Sequence, residues 1–111
     1  IANIYNDNLS DIENIFTPKK TDYRHHVYHQ YTISSNIRDK IMKKLEKNSI
    51  GSAIYYPVSL EKQKAFKEVY NDKTIYKNSN YLSSSCLSLP MYPHLPEDEV
   101  HKICEVIKNI K

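Results

Sequence analysis

Residues 87–96 read LSLPMYPHLP, and the prolines at 90, 93 and 96 forbid a regular helix across them. Proline has no backbone N–H and its ring collides with the preceding turn, a penalty of about 3 kcal/mol inside a helix. The C-terminal segment is thereby cut off from what precedes it, and a new helix is expected to start near Pro96. Glu97, Asp98 and Glu99 then occupy its first turn, where the positive end of the helix dipole favours them. Val100, Ile103, Val106, Ile107 and Ile110 follow at spacings of three and four, one apolar stripe that must be buried.

The rest of the chain divides into short elements. Ile1, Ile4, Tyr5, Leu9, Ile12, Ile15 and Phe16 recur at helical spacing, at least as far as Leu9. That helix has no cap and the chain opens on Ile rather than Met, so it is expected to continue a helix begun upstream. TPKKTDYR, from Thr17, reads as an exposed connection. Val27, His29, Tyr31 and Ile33 then alternate with Tyr28, Gln30 and Thr32, the period of a strand. Ser35 or Asn36 stands ready to cap the next helix, with Asn36 and Asp39 approximating a capping box. Ile37, Ile41, Met42 and Leu45 form its apolar stripe, while Lys40, Lys43, Lys44 and Lys47 face water.

Gly51, the only glycine, is expected to close this unit in a left-handed conformation. AIYYPV, residues 53–58, reads as a second strand stopped by Pro57. Residues 61–70 suggest a short helix with Ala65, Phe66 and Val69 inward, followed by a turn at Asn71 and Asp72. Another short helix is expected to contain Tyr81, Leu82 and Cys86. Two strands with four or five helices make an α+β fold, a short and mostly antiparallel sheet covered by helices. A doubly wound sheet is disfavoured, because strands are few and no glycine-rich turn follows either.

A chain of 111 residues fits one domain. Its net charge of +3 comes from 16 basic and 13 acidic residues spread along the sequence. A nucleic-acid groove needs a continuous basic track with stacking aromatics, whereas the tyrosines here sit between apolar residues. No apolar run approaches the roughly 20 residues that span a bilayer, and no signal peptide opens the chain, so a cytoplasmic protein without membrane partner is expected. Cys86 and Cys104 form neither a disulfide framework nor a zinc signature and read as buried, reduced thiols. In a strand His25 and His29 share one face and His26 the other, with no Cys, Asp or Glu between them, which argues against a shared metal ion. Cys86 or Ser83 to Ser85 paired with His29 lacks the strained turn that exposes a nucleophile. The residues carry side chains to a site without forming a complete reacting set.

Four segments in order, HVYHQYTI, RDKIMKKLEKNSIGSAIYYPVSL, LSLPMYP and EDEVHKICEVIKNI, resemble the C-terminal domain of the DegT/DnrJ/EryC1/StrS sugar aminotransferases. The resemblance runs from the leading helix to Ile110. It implies the small C-terminal domain of a fold-type I enzyme that uses pyridoxal 5′-phosphate. Such enzymes move an amino group, usually from glutamate, to a nucleotide-linked keto sugar in polysaccharide, glycan or antibiotic sugar synthesis, and they are homodimers. The resemblance also places the cofactor-linking lysine and most of the phosphate cradle in a large N-terminal domain. No catalytic, cofactor-binding or metal-binding residue is then expected among these 111 residues, which alone should be inactive. Residues 1–16 would end the helix joining the domains, and 17–111 would form the small domain. A non-transaminating relative, dehydratase-like or regulatory, and a small interaction domain are the alternatives.

Position by position, the resemblance puts His29 at the histidine of the family's YHQY motif, lining or bracing the substrate side of the cleft. Tyr31, two residues on, is expected to support the same wall. Tyr55 and Tyr56, before Pro57, match a YYP or HYP segment whose aromatic edge faces substrate. Ser88 to Pro93 match a structural SLPMYP turn. Where the family commonly continues xPLHxQ, this chain has VSLEKQ, so that Ser59 replaces a proline and Glu61 a histidine. A carboxylate there cannot donate to an anion and repels a nearby diphosphate. Either the substrate differs from the usual one or this loop lies outside the cleft. Pro96 also replaces a capping Thr or Ser.

Overall fold

The computed structural model describes residues 1–66, 68–70 and 74–110. In chain order the elements are helix α1 (Ala2–Leu9), strand β1 (Tyr31–Ser34), helix α2 (Arg38–Lys47), helix α3 (Lys77–Ser85), strand β2 (Cys86–Leu89) and helix α4 (Glu97–Lys108). Two 3₁₀ turns, Leu60–Lys62 and Lys64–Phe66, lie between α2 and α3. The α+β fold holds: β1 and β2 pair antiparallel, with Tyr31 opposite Leu89 and Ile33 opposite Leu87. Single bridges extend both edges, Phe16 to Ser34 and Ala53 to Ser88.

Because side chains alternate along a strand, this register puts Tyr31, Ile33, Leu87 and Leu89 on one face. They join Tyr5 and Leu9 of α1, Ile41 and Leu45 of α2, and Val100, Ile103, Cys104 and Ile107 of α4 in a single core. Each such Leu, Ile or Val contributes about 1.5–3 kcal/mol by leaving water. Two buried tyrosines add direction. Their rings stack at 4.7 Å, the Tyr5 hydroxyl donates to the Pro90 carbonyl at 2.9 Å, and the Tyr31 hydroxyl donates to Asn6 Oδ1 at 2.6 Å. The first helix therefore pins both the proline segment and the start of β1.

The ends of α2 depart from expectation. Its N-cap is Ile37, without a side-chain cap bond, and the proposed box does not form. Asn36 donates to Asn14 Oδ1 at 3.0 Å and Asp39 pairs with Arg38 at 2.6 Å, so both box partners are engaged elsewhere. Buried Ser35 instead accepts the Ile37 N–H through Oγ at 3.2 Å. At the other end Ser49, not Gly51, takes the left-handed conformation, with φ 59°. The Ile50 N–H donates to Leu45 O at 3.0 Å and the Ser49 N–H to Glu46 O at 2.9 Å, the paired bonds of a Schellman closure.

Three other expectations are corrected. The strand read over Val27–Ile33 is only Tyr31–Ser34, since Tyr28 has φ 48° and breaks the extended run. AIYYPV contributes the single bridging residue Ala53; the second strand is Cys86–Leu89, and Cys86 starts it rather than lying in α3. Among the described residues of 61–70 there are only the two 3₁₀ turns and no α-helix, and Ala65, Phe66 and Val69 are exposed. The α1 helix stops at Leu9, and residues 10–14 make turns leading to Phe16 at the sheet edge. The expected turn at Asn71 and Asp72 lies outside the described residues.

Candidate functional site

The sheet face opposite the core carries Thr32, Ser34, Cys86 and Ser88. Thr32 Oγ1 and Ser88 Oγ share a hydrogen bond at 2.8 Å, and Ser34 Oγ lies 3.5 Å from the Tyr81 hydroxyl. These short side chains leave space above the sheet, over which the segment from Ser52 to Gln63 and helix α3 arch. Arg38 secures the junction of α3 and β2 by donating to the Ser83 and Cys86 carbonyls, both at 3.4 Å. Two hollows result.

The first, about 390 Å³, is bordered by His29, Gln30, Ser52, Tyr55, Ser88 and Met91. The second, about 430 Å³, is bordered by Tyr55, Tyr56, Glu61, Tyr70, Tyr76 and Cys86, among others. Tyr55 belongs to both and stands as the wall between them. The Cys86 thiol donates to the Tyr55 carbonyl at 3.7 Å, fixing that wall to β2. Tyr56 meets the Tyr55 ring edge-on at 5.7 Å, and Tyr70 meets Tyr76 the same way at 5.9 Å.

Of the four residues expected to face substrate, the structure brings three to these hollows. His29 is exposed and lies just before β1 rather than within it, lining the first hollow. Tyr55 and Tyr56 are exposed and line the second. Tyr31 goes elsewhere: it is wholly buried on the core face, bonded to Asn6, and shares no wall with His29. Its removal follows from the shorter strand, because the alternation assumed from Val27 onward does not carry His29 and Tyr31 onto one face. Burial pushes the Tyr31 and Tyr5 hydroxyls well above the usual phenol range, as expected of groups that donate and stay neutral. Tyr70, Tyr76 and the Thr32–Ser88 floor went unread in the sequence, because no periodicity marks the tyrosines and the floor depends on strand pairing.

Other chemistry is muted. Cys86 and Cys104 are buried and unpaired, and desolvation pushes the Cys104 thiol up to about 11. Ser83 donates to Asn80 O, and Ser84 and Ser85 both donate to Tyr81 O, back-bonds that occupy the α3 hydroxyls. His26 stacks on Tyr28 at 4.1 Å and accepts the Tyr28 N–H through Nδ1. Among the described residues no group of three His, Cys, Asp or Glu is placed to hold a metal ion, and no helix is long and apolar enough to cross a membrane.

The profile of the DegT/DnrJ/EryC1/StrS aminotransferase family matches residues 1–108. A UDP-N-acetyl-3-dehydro-α-D-glucosamine 3-aminotransferase of Acidithiobacillus ferrooxidans is 40% identical over 84 residues, covering 76% of this chain and 22% of that protein. A pleiotropic regulatory protein of Geobacillus stearothermophilus is 34% identical over 93 residues, covering 84% of this chain and 25% of that protein. Among solved structures, a DegT DnrJ EryC1 StrS aminotransferase from Brucella abortus superposes with a TM-score of 0.81 at 33% identity, over 96% of this chain and 28% of that one. The fold of S. venezuelae DesV matches with a TM-score of 0.91 at 21% identity, over 96% of this chain and 29% of that one. The chain thus spans about a quarter of the length of the relatives it matches. By the match over residues 1–108, the chain belongs to the DegT/DnrJ/EryC1/StrS aminotransferase family.

Proposed function

We propose that this chain is the acceptor-side wall of a sugar aminotransferase that uses pyridoxal 5′-phosphate and works as a homodimer in the cytoplasm. The whole protein moves an amino group from glutamate to a nucleotide-linked keto sugar. In this reading residues 1–16 lead in from the larger part of the protein and 17–111 make the small domain, with α1 docked in its core. The observation that carries the reading is the family match over residues 1–108. The geometry supports it by leaving His29, Tyr55 and Tyr56 exposed and lining hollows sized for part of a small ligand.

The cofactor itself does not fit the hollows. Among the described residues neither is lined by a lysine to bind its aldehyde or by an arginine to hold its phosphate. In this proposal pyridoxal phosphate sits on the large domain, and the present residues bind and orient the acceptor and keep water from it. His29 can donate or accept at the rim of the first hollow, and the Tyr55 ring offers an apolar face to a sugar ring.

In the whole enzyme, His29→Ala should lower kcat/KM for the keto sugar by about ten- to a hundredfold, the loss of one polar contact of roughly 1.5–3 kcal/mol. The glutamate half-reaction should change little. Equal losses in both half-reactions would remove His29 from the acceptor wall. The resemblance to a pleiotropic regulatory protein favours a second reading, a relative that does not transaminate. Whole protein that stays colourless with pyridoxal phosphate and turns over no keto sugar would select it.

A further inference from the structure

The second hollow has one charged side chain among its described lining residues, Glu61. Its carboxylate is held in place, since the Ser59 hydroxyl donates to Oε1 at 2.6 Å within the same turn. That turn is closed by Gln63 Nε2 donating to the Val58 carbonyl at 3.4 Å. Tyr55, Tyr56, Tyr70 and Tyr76 line the same hollow, together with Ser79, Ser83 and Cys86. Among the described residues no lysine, arginine or histidine lines the space.

We propose that Glu61 makes this hollow a site for an uncharged, hydroxyl-bearing sugar ring and excludes acceptors whose ring carries a carboxylate. An ionised carboxylate only accepts hydrogen bonds, and sugar hydroxyls are the donors it needs. Tyrosine rings supply flat apolar surface against which the C–H face of a pyranose rests. A carboxylate on the ligand meets the opposite situation: a like charge at close range, with no cation among the described lining residues to offset it. The inference rests on the acceptor-wall reading and narrows it to the charge class of the acceptor.

The test uses the whole protein and a matched pair of ligands, the nucleotide-linked 2-acetamido sugar with a C6 hydroxymethyl group and its C6 carboxylate counterpart. Each is offered as a UDP and as a dTDP conjugate, and binding is measured by titration calorimetry. The uronate should bind at least about tenfold more weakly than the neutral sugar, the consequence of one unshielded like-charge contact. Glu61→Gln should narrow that ratio to within about threefold, chiefly by improving uronate binding. Ser59→Ala, which keeps the charge, should preserve the discrimination. Equal binding by the unaltered protein, preference for the uronate, no binding of either, or an unchanged ratio in Glu61→Gln each overturns the inference. Turnover of the neutral keto sugar is followed separately. Turnover without discrimination defeats this inference alone, whereas discrimination in binding without turnover defeats only the aminotransferase reading.

Discussion

Replacing Ser49 with glycine should stabilise the domain. Ser49 holds φ 59° at the end of α2, where the Schellman bonds to Leu45 and Glu46 leave it no alternative. A residue with a Cβ loses about 1–2 kcal/mol in this left-handed region. Glycine relieves that strain but returns about 0.5–1 kcal/mol of it through the greater freedom of the unfolded chain. The net gain is about 0.5–1 kcal/mol, which for a domain of this size raises Tm by roughly 2–5 °C. The natural glycine two residues on provides the control. Gly51 has no positive φ, and a Cβ built there meets nothing within 4 Å, so Gly51→Ala should be neutral or stabilise by up to about 1 kcal/mol. Urea unfolding of the two variants, and of the double variant that exchanges the glycine between the sites, measures this directly. A shifted midpoint at constant slope is the expected form. Loss of stability in Ser49→Gly, together with a loss above about 1 kcal/mol in Gly51→Ala, would show that the helix closes at residue 51 and refute the reasoning.

Tyr31→Phe should cost about 1–2 kcal/mol in a melt, by breaking the 2.6 Å bond to Asn6 while the stack on Tyr5 survives. Ile41→Ala, at a fully buried position, should cost about 2–5 kcal/mol, whereas Val69→Ser, on an exposed residue, should stay within about 0.5 kcal/mol. Folding raises the Cys104, Tyr5 and Tyr31 ionisations above their unfolded values, so their contribution is full below the unfolded values and is lost as pH climbs through the folded ones. Urea midpoints should therefore decline from about pH 9 upward, and Tyr5→Phe should flatten the decline. The isolated 111-residue chain should lack transaminase activity and self-associate through the exposed Tyr56, Val58, Leu60 and Ile75. Concentration-independent monomers in sedimentation would contradict the association.

The long amphipathic helices were legible because their stripes are unambiguous: α2 and α4 start and stop within a residue or two of where the residues place them. The sheet was harder. AIYYPV has the composition of a strand, yet only Ala53 pairs, since β2 offers its edge at Ser88 alone. CLSL is buried at all four positions and so shows no alternation, and the serines before it mask its start. Of the candidate site, His29, Tyr55 and Tyr56 could be named from motif position, but Tyr31 could not be sorted from His29 without the true strand length. The second hollow is assembled from segments far apart in sequence, which no local pattern reports.

The two strands that form the sheet are separated by the whole middle of the chain, with Tyr31 facing Leu89 and Ser34 facing Cys86. Farther apart still, Lys108 Nζ of the last helix reaches Asn8 Oδ1 of the first at 2.7 Å, across 100 residues. Pairings this distant slow folding, because loop closure must precede the contacts that reward it. On the ribosome the consequence is sharper. Val100, Ile103, Cys104 and Ile107 cannot enter the core until α4 has left the exit tunnel, so Tyr5, Leu9 and Ile33 wait exposed while the rest is made. This unit can only fold after its synthesis is essentially finished, and a stop codon that removes α4 should send the nascent product to proteases rather than to a smaller folded state.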